Sequence, residues 1–127
     1  MLVLFEDGVC EEVEAERLDG DNWRLLSTPL ATSSNVRRDD VLVLKEDGKI
    51  FRFETIAKAA PYVTIELMMT EAVIRAEGLR ALFERVEETG GQWERAHGGV
   101  VLLHVPPEYA AEIQSMRDAL SAEGADA

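Results

Sequence analysis

The stretch YVTIELMMTEAVI, residues 62–74, decides the fold. Tyr62 to Met69 is an apolar run broken only by Thr64 and Glu66, as in a central or half-buried strand. Thr70, with Glu71 behind it, then offers an N-cap to a following helix. Val73, Ile74, Leu79, Leu82, Phe83 and Val86 recur at three- and four-residue spacings, one face of an amphipathic helix reaching about Glu88. Gly78 lies inside that pattern and marks a possible break after a short first piece, Glu71 to Glu77. Gly90 stands where a helix wants a left-handed terminal residue.

Downstream, Gln92–His97 and Val100–Val105 read as a hairpin across a two-residue turn, Gly98-Gly99. Pro106-Pro107 ends it, and a last helix is expected from about Glu108 to Ala122, with Tyr109, Ile113, Met116 and Leu120 on its inner face. The tail 124–127 is expected to fray. Strand, helix, strand, strand, helix is the order of a ferredoxin-like unit without its last strand, so the fold class is α+β.

Upstream the period changes to two. Asp7-Gly8, Asp19-Gly20 and Asp47-Gly48 are turn dipeptides. Val9–Leu18 reads as one strand paired with Trp23–Ser27, and Val41–Leu44 pairs with Ile50–Ile56, whose Phe51 and Phe53 share a face. Thr28–Asp40 reads as a long loop, with a helix over Ala31–Val36 as the alternative. The expectation is an antiparallel β meander or half-barrel over residues 1–60, then the ferredoxin-like half over 61–123. The two form a single domain and share Ile56–Thr64 as crossover.

Of 127 residues, 25 are acidic and 13 basic, a formal net charge of −12. Met1–Asn22 holds eight acidic residues and one base, Arg17, and so carries −7. A balance this acidic argues against binding a nucleic-acid backbone, which requires Lys and Arg to displace counterions. No apolar run approaches the ~20 residues of a membrane span. A single cysteine, Cys10, excludes an internal disulfide and a four-thiolate zinc site. The expected setting is therefore cytoplasmic, without membrane contact, as a monomer or weak homodimer.

Catalytic signals are absent. His97 and His104 lie at unequal distances from their turn and have no third ligand at metal-site spacing. Cys10 is followed by Glu11 and Glu12, which oppose thiolate formation, and reads as a packed thiol. There is no nucleophile elbow and no phosphate loop. No cofactor, metal or catalytic residue is assigned. The distinctive feature is the acidic strand, where Glu12, Glu14 and Glu16 share one face while Val13 and Ala15 take the other. A solvated sheet face explains such a row. As a functional surface, it would dock a basic protein together with the acidic turn at Asp19 and Asp21, with Trp23 and Arg24 as anchors.

Trp23-Arg24-Leu25, Pro29, Asp39-Asp40-Val41, Gly48, Phe51-Arg52-Phe53, Gly91, Trp93-Glu94 and Val105-Pro106-Pro107, taken in order, resemble a family of small bacterial proteins known only as a domain of unknown function. The likeness runs from Glu11 to Ile113 and departs at Ala59-Ala60-Pro61, where a Ser-Gly step is expected. It implies a bacterial, single-domain accessory protein. Size and acidity then suggest, by analogy, a non-enzymatic immunity or antitoxin-like inhibitor that occludes a basic partner, such as a toxin. The alternative is a small-ligand-binding or regulatory module of the ferredoxin-like type, with an apolar pocket beneath the long loop.

Overall fold

In the computed structural model, nine strands and three α-helices follow one another among the described residues as β1 (Leu2–Leu4), β2 (Cys10–Glu12), β3 (Ala15–Asp19), β4 (Asn22–Leu25), β5 (Val41–Asp47), β6 (Ile50–Lys58), β7 (Val63–Met68), α1 (Glu71–Arg75), α2 (Leu79–Glu88), β8 (Gln92–Arg95), β9 (Val100–Val105) and α3 (Ala110–Asp126). The structure describes residues 1–126, with side chains for all but His97 and 121–126; the tail expected to fray at 124–127 lies outside the residues described in full. The chain divides into two compact units, Met1–Ala60 and Pro61–Ala127. Each has its own cluster of buried apolar residues.

The first unit is one six-stranded sheet in the order β2-β1-β6-β5-β4-β3. It is mixed, because β1 runs parallel to β6 while every other pair is antiparallel. This corrects the expected antiparallel meander, which left Leu2–Leu4 unassigned. The expected single strand 9–18 is also divided. Its first part pairs with β1 and its second with β4, at opposite ends of the sheet order. Val13 N–H donates to the Met1 carbonyl at 2.8 Å, and Leu26 N–H donates to the Glu14 carbonyl at 2.9 Å, so the chain changes partner between those two residues. Two residues span only ~7 Å. The sheet must therefore curl so that its two outermost strands, β2 and β3, come together at that step. Val3, Phe5, Val13, Leu25, Leu42 and Leu44 fill the inside of the curl, with Phe51 and Phe53 packed against them. Residues 28–40 contain no helix.

The second unit carries a three-stranded sheet, β7-β9-β8, antiparallel throughout. Ile65 and Leu67 of β7 and Val101, Leu103 and Val105 of β9 pack against Val73 of α1, Leu82 and Val86 of α2, and Ile113 and Leu120 of α3. Thr70 caps α1, its hydroxyl accepting from Val73 N–H at 3.2 Å. The helical pattern breaks between Arg75 and Leu79, at the step containing Gly78. There an added Cβ would lie 3.1 Å from Leu120, so glycine lets the helices approach. The last helix begins two residues later than expected, after a 3-10 turn at Pro107–Tyr109. The β8–β9 turn has three residues, His97–Gly99, closed by Ala96 N–H on the Val100 carbonyl at 2.7 Å. Both glycines have positive φ, 75° and 78°, which explains the residue choice but replaces the expected two-residue turn.

Candidate functional site

The acidic strand was the surface singled out by sequence. The pleat does place Glu12 and Glu14 outward and Val13 in the core. The carboxylates are nevertheless largely occupied at home. Glu16 lies opposite Arg24 in the β3–β4 register and is ion-paired to it. Asp21 is 2.7 Å from the Lys45 ammonium, which holds its carboxyl below the usual range. Asp19 accepts from the Asn22 amide at 2.9 Å. Glu12, 72% exposed, meets the Met1 amino group at 2.5 Å. Trp23 is half-buried, edge-on to Phe51 at 5.3 Å, with the Arg17 guanidinium 5.8 Å from its ring. Over the whole unit, 13 acidic side chains face eight basic ones, so the −7 of the first 22 residues falls to −5 across residues 1–60. Of the predicted carboxylates, Glu12, Glu16, Asp19 and Asp21 are thus paired within the unit, while Glu14 has no side-chain partner among the described residues.

Two acidic residues of the same stretch hold the long loop. Glu11 accepts the backbone N–H groups of Leu30, Ala31 and Thr32 at 2.6, 3.1 and 3.1 Å. Asp7 accepts from Ser33 N–H at 2.6 Å and from the hydroxyls of Thr32 and Ser33 at 2.9 Å each. The Ser33 amide is the main reason the Asp7 carboxyl sits low, at about 2, with Val9 N–H and the two hydroxyls adding to it. A depressed carboxylate pKa stabilises above the ordinary aspartate value and loses that contribution as pH falls through the folded value. Protection of the Ser33 amide, its exchange rate relative to the intrinsic rate at the same pH, is therefore expected to hold at pH 5 and to fall as pH drops from about 4 toward 2. Protection unchanged over that range would show that Asp7 does not hold the loop. Cys10, read as a packed thiol, is exposed instead.

In the second unit, His104 of β9 is 2% exposed. Its Nδ1 lies 2.9 Å from the Thr64 hydroxyl on β7, and its Nε2 lies 2.8 Å from Glu94 Oε1 on β8. An ionised carboxylate only accepts, so the geometry suits Nε2–H donating to Glu94 while Nδ1 accepts from Thr64. Both ring nitrogens are then used, and the imidazole ties the three strands of the sheet together. Sequence spacing could not reveal this, because the three residues meet only through strand register. Among the described residues, no group of three or more His, Cys, Asp or Glu side chains is placed to hold a metal ion.

A concave feature lies on the helix side of the same sheet. A pocket of about 340 Å³ is lined by Met69, Ile74, Phe83, Trp93 and Val101, with Arg95 as its charged lining residue. Phe83 and Trp93 form a tilted pair with centroids 4.7 Å apart, and the indole N–H donates to Glu87 at 3.2 Å. Trp93 and Arg95 are two apart on β8 and so share a face. Met69 N–H donates to the Gly99 carbonyl at 2.8 Å, which fastens the hairpin turn to the end of β7. The lining residues all belong to the second unit, and none comes from the long loop, residues 28–40, where a ligand site was expected.

Fold and pocket together define an α+β protein with an open apolar recess beside a small antiparallel sheet. The model of the family described as domain of unknown function DUF4265 matches residues 11–126, and the chain belongs to that family. A solved structure titled as a novel crystal structure of a hypothetical protein from Neisseria gonorrhoeae is similar, at 17% identity and a TM-score of 0.68, over 95% of this chain and 84% of that one. At that identity the likeness speaks to the fold. Among curated proteins none matches. No helix among the described residues is long and apolar enough to cross a membrane.

Proposed function

We propose that the protein is a non-catalytic binding protein whose C-terminal unit receives the apolar part of a small molecule between α1, α2 and the β8–β9 hairpin. The pocket carries this reading. Its volume falls at the lower end of small-molecule sites, roughly 300–1,000 Å³. Its walls are apolar and aromatic, and Ile74, 57% exposed, leaves apolar surface open at its lip. The strand order β7-β9-β8, with helices packed on one face, supports reading this unit as a ferredoxin-like arrangement lacking its fourth strand.

The two tryptophans lie one in each unit, which makes the proposal testable by emission. In a Trp23→Phe chain, Trp93 is the sole reporter. Saturable change of its emission on titration with an apolar fluorescent probe, abolished by Ile74→Glu, is expected. No saturable change would overturn the reading.

A second reading keeps the immunity-like inhibitor that occludes a basic partner. The outward row of Glu12 and Glu14 favours it, and Glu14 makes no side-chain hydrogen bond or ion pair among the described residues. The same strategy separates the two readings. Docking on that row of the first unit would leave Trp93, in the second, unchanged, and would weaken in a Glu12→Gln, Glu14→Gln variant.

A further inference from the structure

The C-terminal unit has five arginines. Four are committed to carboxylates: Arg75 to Glu71 at 2.6 Å, Arg80 to Glu84 at 3.1 Å, Arg85 to Glu88 at 3.3 Å and to Glu112, and Arg117 to Asp118 at 2.8 Å. Arg95 alone makes no ion pair or side-chain hydrogen bond among the described residues, and it is exposed. Residues 61–127 hold 12 acidic side chains against these five bases, so partners are plentiful. The nearby Glu87 is held by the Trp93 indole instead. The unpaired guanidinium stands at the apolar pocket, on the same face of β8 as Trp93.

From this we infer the class of ligand, an inference that rests on the pocket being a binding site. The ligand is a small molecule with an apolar body and one carboxylate. The body lies against Phe83, Trp93 and Ile74, and the carboxylate takes the planar fork of Arg95. That fork matches a carboxylate with two parallel N–H donors. A single negative charge is specified by the surroundings. The unit carries a formal −7, so a dianion meets added repulsion that one arginine does not offset. A neutral ligand leaves the guanidinium unused.

The test uses the full chain carrying Trp23→Phe, titrated with decanoate and with its neutral counterpart decanamide while Trp93 emission is followed. Decanoate is expected to bind about tenfold tighter than decanamide, as one charge-assisted hydrogen-bond pair implies. In Arg95→Gln that preference is lost while decanamide affinity stays. The position is exposed, so the variant keeps its fold, and its unliganded Trp93 spectrum checks this. Equal affinities for the two ligands, or a preference that survives Arg95→Gln, overturns the carboxylate assignment and leaves the pocket standing. Binding of neither ligand overturns the pocket reading and the assignment together.

Discussion

Gly91→Ala is expected to destabilise the C-terminal unit by about 3 kcal/mol, at the upper end of the range for overpacking a close-packed site. An added Cβ at residue 91 would lie 2.5 Å from the His104 carbonyl oxygen and 3.0 Å from that of Val86. Both are backbone atoms, one in the central strand β9 and one in the last turn of α2, so no side-chain rotation relieves the contact. The Val86 carbonyl is also in use, accepting from Gly91 N–H at 3.0 Å and from the Thr89 hydroxyl at 2.7 Å. Gly90 is the control. It has φ 84°, and a Cβ there meets nothing within 4 Å. Gly90→Ala should cost only ~1 kcal/mol, the strain of a left-handed alanine. Urea unfolding followed through Trp93 in a Trp23→Phe chain measures both. A Gly90 variant as damaged as the Gly91 variant would show that turn conformation, not close approach, governs the site.

Asp40→Ala should destabilise the N-terminal unit by ~3–5 kcal/mol, as breaking a buried charged network does. Asp40 is 2% exposed. It accepts from Ala60 N–H at 2.6 Å and from Arg37 N–H at 2.9 Å, and its Oδ1 lies 3.9 Å from Arg37 Nε. Alanine leaves the two amides without their acceptor, and the buried one at Ala60 has no route to water. Asn retains one acceptor oxygen and should recover part of the loss. Unfolding followed through Trp23 in a Trp93→Phe chain gives the values, and a loss below 1 kcal/mol for alanine would refute the role. Asp40 is also the acidic residue of the Asp40-Val41 step that resembles the family pattern. Its bonds supply a reason for that step: it joins the end of the long loop to the residue where the first unit closes.

Much of this was legible locally. The Thr70 cap, the break near Gly78 and the alternation of Phe51 and Phe53 each depend on residues within one turn or one strand of each other. Periodicity and capping chemistry act over those distances. What was not legible depended on partners far along the chain. Leu2–Leu4 is too short to announce itself and becomes a strand only because β6 offers an edge 48 residues away, Val3 opposite Phe51. The acidic strand looked like a free surface because Arg24 and Lys45, which answer Glu16 and Asp21, arrive across the sheet. Asp7 and Glu11 counted as charge and proved to be acceptors for loop amides.

By itself the sequence determined which segments are strands and helices in the C-terminal half, the α+β class and the acidic character. These follow from hydrophobic period, turn chemistry and composition, all local or additive. Only the tertiary structure decided where charge is neutralised, that the first sheet closes on itself through Val13 and Glu14, and that Ile74, Phe83, Trp93 and Arg95 meet around one recess. Those outcomes depend on strand register and helix packing, and a pairing energy between distant residues leaves no periodic trace along the chain.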